Sequence, residues 1–142
     1  MGISKNQRRQ IEQMQPILAL AYADYNTRFF DSKLPICILE FSELPFSEQS
    51  IGTLARTTRV DDIEMIPSKI LNDIPIKMLS NIFVTQLDYR LAWNELLWRP
   101  TLLHEMNHIS LYDEPNGQDC HSSLFLDGIK SLISHGAYDN IL

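Results

Sequence analysis

Cysteine is scarce in this sequence, since only Cys37 and Cys120 occur among its 142 residues. Two cysteines are too few for the disulfide frameworks that hold small secreted domains together, so we expect free thiols in a reducing compartment. The sequence also lacks an apolar run of membrane-spanning length, and its first residues lack the apolar core of a secretory signal. These absences predict a cytoplasmic protein without a membrane anchor.

An excess of positive charge is absent as well. The formal net charge is −6 at pH 7, and the one basic cluster, Lys5, Arg8 and Arg9, is interpreted as the solvated start of a helix. The composition therefore gives no support for a general nucleic-acid-binding surface. With 44% apolar and 21% charged residues and no repeat or linker, the sequence predicts one globular domain over residues 1–142.

Hydrophobic spacing predicts an α+β fold that begins with a helix over residues 5–30. Pro16 lies inside this pattern, so the helix is expected to begin or bend there. Three short strand patterns follow with close connections, at 36–41, 52–59 and 62–66. Their arrangement favours a small, mostly antiparallel three-stranded sheet.

The second half of the sequence reads as helical. We expect a short turn near 68–71, a helix around 76–87, and a further helix that starts near Arg99 because Pro100 suits the first turn of a helix. A last helix is predicted over 120–134, with Asp119 as its N-cap and Gly136 after its end.

Residues 104–108 spell H-E-x-x-H, with His104, Glu105 and His108 at the defined positions. Two imidazoles at this spacing on a helix are separated by roughly 40° of rotation and about 6 Å of rise, so both can reach one metal ion. Glu105 lies on the adjacent flank of the same turn, where a carboxylate can take a proton from a water without being a ligand. The pattern predicts a zinc site of the metallopeptidase type.

A catalytic zinc takes a third protein ligand and leaves a position for water. The metzincin pattern is excluded because Leu111 and Glu114 occupy the positions of its glycine and its third histidine, and no glutamate follows Glu114 to serve a gluzincin site. His121 is the predicted third ligand, since it follows a glycine-containing turn at the start of the last predicted helix. Asp119 is the alternative oxygen ligand, whereas Cys120 would point about 100° away from His121 on a helix and is not expected to ligate.

Several further segments match one known pattern: 25–30 with the Leu34-Pro35 exit, 52–59, 63–65, 101–108 and 120–125. Together these motifs resemble the SprT-like zinc metallopeptidase domains, the family that includes the Spartan-type proteases. The similarity covers about 17–134, and Ser122 stands where the family has a glycine after its third ligand.

The resemblance implies a zincin-like fold in which His104, His108 and His121 bind Zn²⁺ and Glu105 is the general base. It also implies proteolysis and, in some members, cleavage of proteins crosslinked to DNA. These 142 residues contain no paired C-x-x-C motifs. We expect neither a zinc ribbon nor a DNA-binding extension, so DNA association has no support beyond the resemblance.

The sequence thus predicts a zinc metalloendopeptidase that hydrolyses a protein or peptide substrate. The alternative is a non-enzymatic protein-binding module with a structural or vestigial zinc site. Hydrolysis of a non-protein amide would use the same metal chemistry. Tyr112 is a candidate oxyanion donor, although packing is the commoner role for a tyrosine near such a site.

Overall fold

The computed structural model describes residues 3–44, 54–60 and 81–141. This part of the chain forms an α+β fold with a sheet and helices. The elements in chain order are α1 (Lys5–Phe29), β1 (Ile36–Ser42), β2 (Ala55–Arg59), β3 (Ile82–Asp88), a 3₁₀ turn (Tyr89–Trp93), α2 (Glu95–Ser110) and α3 (Ser123–Ser134).

Helix α1 matches the predicted N-terminal helix and runs through Pro16 as one element. A capping box starts it: the Ser4 hydroxyl accepts from the Gln7 N–H, and the Gln7 side chain accepts from the Ser4 N–H. Its apolar face, which includes Leu18 and Tyr22, is buried in the main core. Just before the helix ends, the Asn26 side chain accepts from the Leu34 N–H, which fixes the chain on its way into β1.

The sheet is mixed, so the predicted mostly antiparallel arrangement is wrong. Within the described residues the strand order is β1-β3-β2, with β1 parallel to β3 and β2 antiparallel to it. Strands 36–41 and 52–59 correspond to β1 and β2, whereas the predicted strand at 62–66 and the turn near 68–71 lie outside the described residues. The third strand is instead β3, which replaces residues 82–87 of the helix predicted around 76–87. Residues 76–80 of that prediction lie outside the described residues.

Strand β3 is central and buried on both faces, which explains the wrong helix prediction. Phe83 and Leu87 pack in the main core beside the helices, while Ile82 and Val84 belong to a second cluster on the opposite face. A strand that is apolar on both faces has no alternating pattern to separate it from a helix.

Helix α2 begins at Glu95, earlier than the predicted start near Arg99. Asn94 is the N-cap, and its side chain accepts from the Leu96 N–H. Pro100 therefore lies inside the helix. Leu102, Leu103 and Met106 are fully buried, so this part of α2 lies in the core. Its partly exposed side carries a polar stripe that contains His104 and His108.

Helix α3 begins at Ser123, later than the predicted start at residue 120. Its N-cap is Ser122, whose hydroxyl accepts from the Phe125 N–H, and not Asp119. Gly136 ends the helix as predicted, with a φ of 89° and backbone bonds from Gly136 to Ile133 and from Ala137 to Leu132. In the described part of the chain, no helix combines the length and apolarity needed to cross a bilayer.

Candidate metal centre

The polar stripe of α2 carries both histidines of the H-E-x-x-H motif. The ring centroids of His104 and His108 are 4.9 Å apart, and the two rings are nearly perpendicular. Both side chains are half-buried. The helix therefore presents two imidazoles to one volume, as the four-residue spacing predicted.

The sulfur of Cys120 completes a three-donor group with these rings. Its Sγ lies 3.4 Å from the Nε2 of His104 and 3.2 Å from the Nε2 of His108. The three potential ligand atoms all lie within 4.8 Å of one another. Cys120 reaches this position from the turn before α3, where the helical geometry assumed from the sequence does not apply.

His121 lies next to this group but is not part of it. Its side chain is exposed, and its backbone N–H donates to the Asp119 Oδ1 at 2.9 Å. Asp119, the alternative oxygen ligand, is also exposed. Its carboxylate accepts this hydrogen bond within the turn. The structure thus brings together two of the three predicted ligands and adds Cys120, which the sequence argument had set aside.

Glu105 is almost fully buried beneath the donor group, with 6% of its surface exposed. One carboxylate oxygen, Oε1, accepts a hydrogen bond from the Thr57 hydroxyl of β2 at 2.9 Å. The other oxygen, Oε2, lies 4.0 Å from the Nε2 of His108. The carboxylate is therefore held by the sheet on one side and faces the donor group on the other.

Burial sets the protonation states of these groups. It lowers the pKa of His104 and, together with the nearby His104, lowers the pKa of His108 to about 4. Burial raises the pKa of Glu105, and the Thr57 hydrogen bond acts in the opposite direction. Burial and the charges of Glu105 and Asp119 raise the pKa of the Cys120 thiol. Both imidazoles are consequently neutral near pH 7, which is the form that binds metal.

Helix α3 packs against the two histidine rings of the donor group, through contacts that were not predicted from the sequence. The Phe125 ring lies 4.9 Å from the His104 ring and 4.5 Å from the His108 ring, between centroids. Asn107, also on α2, donates from its buried amide to the Phe125 carbonyl at 3.1 Å. The sequence feature that could have identified Asn107 is a polar side chain on the otherwise apolar, buried side of α2.

The donor group lines an open hollow of about 370 Å³ between β2 and α2. Its lining includes Thr57, Glu105 and the donor residues, and residues 54 and 55 lead to a neighbouring apolar recess beside Pro100 and Thr101. Tyr112 does not contribute to this lining. Its ring packs edge-on against Phe83 at 5.0 Å and lies 4.2 Å below the Arg59 guanidinium, so it has a packing role.

The donor atoms fit a zinc ion in both chemistry and spacing. Imidazole nitrogen and cysteine sulfur are the preferred ligands of zinc, at about 2.0 and 2.3 Å. A tetrahedral ion at those distances separates a nitrogen from a sulfur by about 3.6 Å, close to the observed 3.2 and 3.4 Å. Among the described residues, the Nδ1 of His108 has no hydrogen-bond partner. The His108 ring packs against Phe125, which restricts its orientation.

No family model, curated protein or solved structure matches this chain.

Proposed function

We propose that this chain is a zinc-dependent hydrolase of peptide bonds. The observation that carries the proposal is the position of the buried Glu105 carboxylate, directly beside a group of neutral imidazole and sulfur donors in an open hollow. A structural metal site has no use for a buried carboxylate that is not a ligand, because its burial is unfavourable. A hydrolytic site needs one as a general base.

His104 and His108 would hold the zinc through Nε2. When bound there, zinc supplies a polarising charge for the scissile carbonyl and lowers the pKa of water to about 7. Glu105 would take the proton of the attacking water at Oε2 and deliver it to the leaving amine. The Thr57 hydrogen bond to Oε1 leaves Oε2 available for this transfer.

The third zinc ligand would be one of two neighbouring residues, Cys120 or His121. The SprT-like resemblance favours His121, whereas the short distances from the sulfur to both imidazoles favour Cys120. Either residue leaves a coordination position for water, because the described donor group provides no fourth protein ligand.

The hollow favours an extended peptide as the substrate. Within the described residues β2 lies at the end of the sheet order, and Ala55 and Thr57 of this strand line the hollow beside Glu105. An extended segment running along β2 would pass over the donor group, which is a common way to present a peptide to an enzyme.

A non-enzymatic module with a structural zinc is the second candidate function. The sulfur of Cys120 favours it, since structural zinc sites commonly contain cysteine. The open hollow and the buried Glu105 favour the hydrolase instead.

The Glu105→Gln variant separates the two functions. Glutamine keeps the size of the side chain and can still accept from Thr57, but it cannot act as a base. We expect cleavage of fluorescein-labelled casein to fall by about 100-fold or more, with the zinc content unchanged. Equal cleavage by the variant and the parent would remove Glu105 from the base role. A zinc-loaded parent without hydrolysis would favour the structural module.

A further inference from the structure

Three hydrogen-bonding side chains form a line across the sheet beneath Glu105. The Thr57 hydroxyl of β2 lies 2.9 Å from the Thr85 hydroxyl of β3, its direct partner in the strand register. The Cys37 thiol of β1 donates to the Thr85 hydroxyl at 3.3 Å. The line therefore contains one residue from each strand and ends at the Glu105 carboxylate.

The chemistry of the carboxylate fixes the direction of these hydrogen bonds. An ionised carboxylate only accepts, so the single proton of the Thr57 hydroxyl is directed to Glu105. Thr57 must then accept from Thr85, whose own proton is used in that bond. Thr85 accepts from the Cys37 S–H. Every donor in the line thus points toward Glu105, and hydrogen bonds aligned in one direction polarise one another.

The line lies where apolar side chains would be expected. Thr85 is fully buried, between Phe83 and Leu87 on the core face of β3. Valine has nearly the same shape and would fill this position without a buried hydroxyl to satisfy. The hydroxyl is therefore explained by the bond that it makes to Thr57.

We propose that Thr57 is a positioning residue for Glu105 and that Thr85 and Cys37 hold Thr57 in its donating orientation. This inference rests on the proposed function. By fixing Oε1, Thr57 prevents the carboxylate from rotating and keeps Oε2 turned toward the donor group. Thr57 does not itself contact the reacting atoms.

The test compares Thr57→Val with Thr57→Ser, which keeps the hydroxyl, and with Thr58→Val. Thr58 is the neighbouring exposed residue of β2, so the last variant makes the same change outside the site. The first readout is the carboxylate stretching band of Glu105, identified by an infrared difference spectrum against Glu105→Gln. This readout requires neither zinc nor a substrate.

We expect the Glu105 band to shift in Thr57→Val. In Thr57→Ser and in Thr58→Val the band should lie at the parent position. An unshifted band in Thr57→Val would overturn the proposal. Thr57→Ala provides the same readout if valine disturbs the strand.

The second readout is casein hydrolysis by the zinc-loaded protein. Loss of a hydrogen bond to a charged group should lower kcat in Thr57→Val by about 10- to 100-fold, with KM within about twofold of the parent value, and Thr57→Ser should restore most of kcat. An equal loss in both variants would assign Thr57 a purely structural role. Absence of cleavage by the parent would count against the proposed function alone, since the infrared result still decides the role of Thr57.

Discussion

At the scale of single residues, His108 couples the stability of the fold to pH. Its folded pKa of about 4 lies below its ordinary value of 6.5, so the unfolded chain binds more protons between these two values. The stability from the neutral ring is therefore complete above pH 6.5 and is lost as the pH falls toward 4. We expect the unfolding free energy of the metal-free protein to fall over this range more steeply than in His108→Gln. Urea unfolding at a series of pH values measures both.

Glu105 changes the stability with pH in the opposite direction to His108. Its pKa is raised by burial, so its contribution to stability decreases as the pH rises, which is the opposite sign. The difference between the two pH profiles therefore reports His108 together with its interactions with His104 and Glu105. Identical slopes in parent and variant would contradict the low pKa of this ring.

Single substitutions can also determine whether Cys120 or His121 is the third metal ligand. Cobalt can replace zinc in such sites, and a thiolate ligand gives a sulfur-to-cobalt charge-transfer absorption in the near ultraviolet. If Cys120 ligates, this band is present in the parent and in His121→Ala but absent in Cys120→Ser. If His121 ligates, no such band is present in the parent, and His121→Ala loses most of its metal affinity while Cys120→Ser retains it.

At the scale of secondary-structure elements, the approach of α3 to α2 depends on Gly128. A Cβ at this position would lie 2.3 Å from the Oδ1 of the buried Asn107. Alanine improves helix propensity by about 1 kcal/mol, but overpacking a buried contact costs about 1 to 3 kcal/mol. We expect Gly128→Ala to lower the unfolding free energy by up to about 2 kcal/mol and to weaken zinc binding, because Phe125 and the Cys120 turn move with α3.

Lys130→Ala is the matched control, since Lys130 is exposed on the same helix. Its unfolding free energy should stay within about 0.5 kcal/mol of the parent. A Gly128→Ala protein that is more stable than the parent would show that helix propensity outweighs the close contact with Asn107.

The helices were more predictable from the sequence than the sheet. Helix α1 has one apolar face, and its spacing identified it almost to the residue. Strand β3 is buried on both faces, so its apolar run fitted a helix equally well. The predicted start of α2 near Arg99 was wrong because Pro100 lies within the helix, and Asn94 caps the helix one turn earlier.

The grouping of side chains in the candidate site was predictable from the sequence only where it depends on one helix. His104, Glu105 and His108 have a fixed relation on any α-helix, so their spacing predicted their grouping. Cys120 and His121 lie in a turn, where neighbouring side chains have no fixed angular relation. Thr57 and Thr85 belong to the site only through strand pairing between distant segments, which the sequence spacing does not encode.

At the scale of the whole molecule, the proposed zinc ion would link metal binding to the stability of the fold. The donor group joins α2 to the turn before α3, so the proposed ion would bind the folded chain more tightly than the unfolded one. Free zinc at 100 times its dissociation constant stabilises by about 2.7 kcal/mol, equivalent to roughly 5 to 10 °C in Tm for a domain of this size. Thermal unfolding with and without a chelator measures this shift. The His104→Gln/His108→Gln double variant should show no zinc-dependent change.

The most direct test of the central claim is the zinc content of the purified protein, determined by elemental analysis beside the same double variant. The account predicts about one zinc per chain in the parent and almost none in the variant. No zinc in the parent, or equal zinc in both proteins, would contradict it.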